Sequence, residues 1–135
     1  KAAGKDPAGV EIVNRAMVLC TDDKEYGRNL FRAASGPYYA TPVYNNFLAW
    51  AGYTEAAAQI AEGWAEKDRN KTASAMSDEM IDEIAIIGNE DEIQARIQAD
   101  ADGGVDTHII APLAGKKEDV DRTFAAFTGT AFQFA

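Results

Sequence analysis

The 135-residue sequence holds one cysteine and one histidine. A lone Cys20 excludes an internal disulfide, and Cys20 with His108 cannot build a zinc site of the usual kind, which draws on several such ligands. Carboxylates could hold a hard cation, but there is no EF-hand loop with its glycine and spaced acids. No metal site is expected. No apolar run approaches the roughly 20 residues of a membrane helix, and no signal-peptide pattern follows Lys1. The expected setting is the cytoplasm, with no membrane partner. Basic residues are few, 13 against 22 acids for a net charge of -9. They are also scattered, Lys116–Lys117 being the one adjacent pair. Phosphate neutralisation needs clustered Lys and Arg, so nucleic acid is not an expected partner. Glycine-rich phosphate loops and a Gly-x-Ser-x-Gly elbow are missing too. Gly103–Gly104 precedes a strand, whereas a phosphate-cradling loop follows one, so this pair is a helix stop.

What is present is an apolar share of 47% beside 26% charged residues, the balance of a globular chain. The 26 alanines, many between residues 49 and 75, favour close-packed helices. Val10 to Thr21 has the Val, Ile, Leu and Met content of a strand. Asn14 and Arg15 interrupt it, either facing a polar space inside a doubly covered sheet or solvated at an edge. Asp22 with Glu25 forms a capping-box pattern ahead of Tyr26, Leu30 and Ala33, and Ser35–Gly36–Pro37 closes that helix. Thr41–Pro42 opens a second helix with Val43, Phe47 and Trp50 on one stripe, ended at Gly52. Thr54 caps a third, with Ala57, Ile60, Ala61 and Trp64. Residues 67–76 are polar and predict a surface loop. Ser77 caps a helix carrying Met80, Ile81, Ile84 and Ile87 up to Gly88. Asn89, with Glu92 in the box position, caps another that carries Ile93, Ile97 and Ala101. Val105 to Leu113 is a second strand, and a last helix runs from Glu118 to about Thr128.

Two strands joined by a long helical crossover follow the grammar of a parallel sheet. Two strands cannot complete such a sheet, and an eight-stranded barrel takes roughly 250 residues. The fold class is therefore α/β, and the chain a piece of a larger fold. A first residue other than Met agrees with this, although tag removal would leave the same start.

Few residues carry obvious chemistry. His108 and Asp106 share a strand face and could do acid–base work. Both sit early in the strand, whereas parallel barrels collect active sites at carboxyl ends, so packing is the favoured role. Cys20 lies at a carboxyl end without a neighbouring base, which favours a plain buried thiol. Tyr38, Tyr39, Tyr44, Phe47 and Trp50, with Asn45 and Asn46 among them, either wall a pocket for an organic ligand or form helix core or a subunit interface. Asp78, Glu79, Asp82 and Glu83 are expected to form a solvated face, the alternative being paired-carboxylate catalysis.

The segment Met80–Ile81–Asp82–Glu83–Ile84–Ala85–Ile86–Ile87–Gly88–Asn89–Glu90–Asp91–Glu92–Ile93, followed by Ala101–Asp102–Gly103–Gly104–Val105–Asp106–Thr107–His108–Ile109–Ile110–Ala111–Pro112, resembles the carboxyl-terminal part of luciferase-like oxidoreductases. The succession of helix, Gly-Asn-Glu-Asp-Glu turn, helix, Gly-Val-Asp, apolar strand and Pro is specific in combination. On this resemblance residues 1–135 are the closing portion of one (β/α)8 TIM barrel. Val10–Thr21 would be strand seven, Val105–Leu113 strand eight, and a helix-rich insertion would lie between them.

The resemblance implies hydride transfer between F420 or a flavin such as FMN and a small organic substrate, or an oxygen-dependent flavin reaction, in the parent enzyme. No catalytic residue carries over to a position of this chain. A pocket-wall role is implied for Cys20, Tyr38, Tyr39, Tyr44, Asn45 and Asn46. The chain alone is expected to bind no cofactor and to be inactive. It would associate with further copies or with the missing barrel portion. The alternative is a self-contained helix-rich binding domain without catalysis.

Overall fold

The computed structural model of the chain describes Gly4, Asp6 and residues 9–135. The sequence also predicts a turn-like opening from Gly4 to Gly9, and its Pro7 lies outside the described residues. The elements in order are β1 (Val13–Cys20), α1 (Lys24–Tyr39), α2 (Pro42–Trp50), α3 (Thr54–Ala65), α4 (Arg69–Ser74), α5 (Asp78–Ile84), β2 (Ala85–Gly88), α6 (Glu90–Asp102), β3 (Thr107–Pro112) and α7 (Lys117–Ala125). Residues 1–22 with 88–135 form one compact unit, and residues 23–87 a second.

In the first unit β1 and β3 pair in parallel, from Val13 opposite Thr107 to Val18 opposite Pro112. The pairing is anchored at Ile12, whose N–H donates to the Asp106 carboxylate at 2.8 Å and whose carbonyl accepts from the Asp106 and Thr107 N–H groups. The strand thus begins later than the apolar run at Val10. Along β1 burial rises toward the carboxyl end, where Ala16, Val18, Leu19 and Cys20 are buried. Helices α6 and α7 supply the opposing apolar surface through Ile93, Ile97 and Ala126. The first of these helices begins in the expected capping box: Asn89 Oδ1 accepts from Glu92 N–H at 3.1 Å and the Glu92 carboxylate accepts from Asn89 N–H at 2.9 Å. It ends at Gly103–Gly104, with Gly104 at φ 100°. The fully buried Thr123 of α7 takes the Cys20 N–H on its Oγ1 at 3.0 Å. That bond fixes the carboxyl end of β1 to α7.

One correction concerns the sheet. Three strands occur among the described residues instead of two, in the order β2-β1-β3. The added strand takes the end of the expected Ser77 helix: Ala85 leaves helical geometry at φ -118°, ψ 152°, and Ala85, Ile86 and Gly88 are buried. A short apolar run covered in this way gains ladder partners by extending, as Gly88 does in accepting from Thr21 N–H at 2.7 Å. The expected parallel pairing of the first and last strands is present, and the three strands do not by themselves make a barrel. The fold shown is mixed α/β with a three-stranded sheet and seven helices among the described residues.

The second unit is built by α1 to α5 around Phe31, Leu48, Ile60, Met76, Met80 and Ile81, all fully buried. The cap of α1 is Asp23, which accepts from Tyr26 N–H at 2.9 Å, one residue beyond the expected Asp22. This helix continues through Pro37 to Tyr39 instead of stopping at Ser35–Gly36–Pro37. A proline in the last turn removes only the bond to the carbonyl four residues back, that of the exposed Ala33, so the helix survives it. Pro42 opens α2 and Gly52, at φ 105°, follows its end, as expected. Thr54 is the first residue of α3, not its cap.

The expected loop over residues 67–76 holds α4, capped by Asp68 accepting from Lys71 N–H at 2.9 Å. It packs on α3 at Gly63, where a Cβ would lie 2.8 Å from the Thr72 backbone nitrogen. Gly63→Ala is therefore expected to destabilise the chain by about 1–3 kcal/mol, because the obstruction is backbone and cannot swing aside. Urea unfolding followed by circular dichroism measures this, and an unchanged midpoint would show that α3 and α4 do not pack this closely.

Candidate functional site

Ligands of parallel α/β sheets gather outside the carboxyl ends of the strands, especially where neighbouring strands connect in opposite directions. In the first unit that place is the end of β1 and β3, formed by Cys20–Asp22 and residues 113–119. Cys20 is 2% exposed. Burial pushes its thiol up from the ordinary value, with Arg122 pulling weakly the other way. A protonated, covered thiol is a packing group, not a nucleophile. Asp22 is held by Arg122 at 2.8 Å, and the buried Asp119 accepts the Gly115 N–H at 3.1 Å.

A flavin or F420 phosphate needs free N–H donors and cations at this end. Helix α7 instead opens with Glu118 and Asp119 in its first turn, and Lys117 pairs with Asp121. Asp119 has already taken the Gly115 N–H. Two carboxylates facing the positive end of α7 satisfy it and repel a phosphate. These residues do not fit the phosphate of such a cofactor.

At the opposite end of β3, Asp106 is occupied with Ile12 N–H. Neither ring nitrogen of His108 has a hydrogen-bond partner among the described residues, and its ring lies 5.7 Å from that of Phe134. The two do not form an acid–base couple, in keeping with the packing reading.

The aromatic segment belongs to the second unit. Tyr38 and Tyr44 are exposed, with hydroxyls 2.9 Å apart and ring centroids at 4.1 Å. The shared hydrogen bond raises the pKa of the Tyr44 phenol. Tyr39 is buried beside Phe31, and burial raises its pKa. Asn45 Nδ2 donates to the carbonyls of Tyr39 and Ala57 at 3.1 and 2.7 Å, tying α1, α2 and α3 together. Asn46 is exposed. The sequence grouped these five as pocket wall; the structure employs Tyr39 and Asn45 internally and leaves Tyr38, Tyr44 and Asn46 at the surface. Val43, Phe47 and Trp50 are also exposed, the last by 82%. None of the five lines either of two clefts in this unit, of about 480 and about 390 Å³.

The acidic set is more organised than a solvated face. Arg28 bridges Asp78 and Asp82 at 3.0 and 2.6 Å, and Arg32 also binds Asp78. The Tyr53 hydroxyl donates to Glu83. The larger cleft carries a pair that sequence reading missed: Arg69 places its guanidinium carbon 3.5 Å from the centre of the Trp64 ring. Its signal was the Trp–Arg spacing across a turn, which periodicity does not register.

A family model described as luciferase-like monooxygenase matches residues 1–107. No curated protein and no solved structure matches the chain. No helix among the described residues is long and apolar enough to cross a membrane, and no cluster of potential metal ligands occurs among them.

Two outcomes are expected. Iodoacetamide should modify Cys20 only as fast as the chain opens, so labelling should accelerate sharply in denaturant; fast labelling of folded protein at neutral pH would contradict its burial. The hydrogen bond from Arg28 lowers the Asp82 pKa below its ordinary value. A depressed acid contributes stability above its unfolded pKa of about 3.9 and loses it as pH falls through the folded value. Asp82→Asn should therefore be less stable than the parent at neutral pH, with the two melting temperatures converging below about pH 4. A constant gap would show that Asp82 does not titrate this way.

Proposed function

The chain belongs to the luciferase-like monooxygenase family, and from that premise we propose that it is the carboxyl-terminal part of an oxidoreductase. The reaction proposed is hydride transfer between F420 or a flavin such as FMN and a small organic substrate. The family match over residues 1–107 carries this reading. The parallel pairing of β1 with β3, whose carboxyl ends form the usual ligand side of an α/β sheet, supports it.

In such enzymes the cofactor supplies the redox chemistry and the protein positions it. Within the first unit this chain's share is a wall at the Cys20 end of β1, fixed by Thr123; Tyr38, Tyr44 and Asn46 form a separate surface group of the second unit. On this reading the phosphate of the cofactor would be bound by residues other than those at the start of α7, where Glu118 and Asp119 stand. The reading does not require a closed barrel, because open parallel sheets bind at the same end. The sheet would be completed by other strands of the parent barrel or by a second copy. Exposed Val13 and Ile109 on the paired strands, at 50% and 49%, favour that association.

The purified chain is expected to show no stoichiometric flavin or F420 absorbance, no turnover, and self-association in sedimentation. Bound cofactor with turnover by this chain alone would overturn the assignment of phosphate binding elsewhere. A monomer with strongly protected β1 and β3 amides would favour a self-contained domain.

A further inference from the structure

The cleft of about 480 Å³ in the helical unit has an unusual division of labour among its lining residues. Asn29, Arg32 and Pro37 come from α1, Trp64 from α3, and Arg69 and Ala73 from α4. Each nitrogen of Arg32 has a partner: Nε donates to the Met76 carbonyl at 3.1 Å, one terminal nitrogen to Asn29 Oδ1 at 3.0 Å, and the other to Asp78. The nearby acids are also committed. Asp78 is held by Arg28 and Arg32, and Glu62 and Glu66 are bridged by Lys71 at 3.0 and 2.9 Å. Arg69 alone among the charged lining residues has no ion pair or side-chain hydrogen bond among the described residues. Its planar guanidinium rests on the Trp64 ring at 3.5 Å, which orders the fork and leaves its N–H donors unspent.

We propose that this cleft is a binding site for a small organic monocarboxylate. The carboxylate would take the Arg69 fork, and its apolar body the surface of Pro37, Ala73 and Trp64. One free guanidinium supplies one positive charge and a planar bidentate match, which suits a carboxylate. A phosphate dianion would require a second free cation, and Arg32 is already neutralised by Asp78. The volume lies within the range of about 300–1,000 Å³ typical of small-ligand pockets, toward its lower end, which sets the scale at a single ring or short chain. The site lies wholly within the second unit and does not depend on the oxidoreductase reading.

The test uses the full chain carrying Trp50→Phe, which leaves Trp64 as the one tryptophan. Benzoate, benzamide and benzylamine share a ring and differ in charge. Benzoate should change Trp64 emission saturably, with benzamide weaker by about tenfold or more and benzylamine inert. Equilibrium dialysis with labelled benzoate should give the same affinity. Arg69→Gln should weaken benzoate by about tenfold while leaving benzamide and the melting temperature nearly unchanged. Ala73→Leu, which fills the cleft without touching the cation, should weaken both. Equal binding of benzoate and benzamide, unsaturable binding, or undiminished benzoate affinity in a folded Arg69→Gln protein would overturn the proposal.

Discussion

Parallel strands cannot be joined by a tight turn, so pairing β1 with β3 commits the chain to a long excursion between them and to covering the faces of both strands. The first unit is arranged around that commitment. Asp106 and Ile12 lock the register at the amino end, through side-chain and backbone bonds in both directions. At the other end the Cys20 N–H would be a buried donor without a partner if Thr123 did not accept it. An unsatisfied buried donor costs on the order of 1–3 kcal/mol, comparable with a large share of a domain's net stability. Thr123 therefore serves two functions: it seals α7 onto the sheet and completes the bonding of the strand that the sheet is built around.

The helical unit solves a different problem, the placement of acids in a chain of net charge -9. Arg28 and Arg32 each reach Asp78, and Arg28 also takes Asp82, joining the middle of α1 to α5. Lys71 does the same for Glu62 and Glu66 across the turn between α3 and α4. Isolated surface pairs of this kind contribute little, but here one arginine spans two carboxylates and a second arginine shares one of them. This shared arrangement fixes the partners of Arg32 and so leaves Arg69 as the cleft's free cation.

Features set by local hydrogen bonding were legible in the sequence. The Asn89–Glu92 box, the Ser77 cap, Pro42 at a helix start and the left-handed Gly52 and Gly104 all involve partners a few residues apart. Features decided by neighbours in space were not. Ala85–Ile86–Ile87 fits an apolar helix stripe as well as a buried strand, and only its burial decides between them. Asp22 and Asp23 are equivalent as caps until Arg122 claims the first. Polar α4 looked like loop because its stabilisation comes from Asp68 and from the backbone of Thr72 lying against Gly63, not from an apolar period. Asn45 resembled a pocket amide, but the carbonyls it binds belong to Tyr39 and Ala57, the latter twelve residues away. Family membership was legible for a further reason: the helix–turn–helix–strand succession from Met80 to Pro112 is a linear pattern, and most of it lies inside the matched residues.

The same local chemistry explains how a chain can belong to an oxidoreductase family while its best-placed strand ends are unsuited to an anionic cofactor. Helix α7 carries no side-chain hydrogen bond from its N-cap Lys116, so its positive end is answered by Glu118 and Asp119 in the first turn. Asp119 goes further and accepts the Gly115 N–H, the kind of loop amide that elsewhere binds a phosphate oxygen. A helix terminus can stabilise its own carboxylate or an incoming phosphate, but the two compete for the same donors and the same field. Here the internal carboxylate, buried at 7% exposure, holds the position. At this end of the sheet the helix-terminal donors and field are spent on the chain's own Glu118 and Asp119.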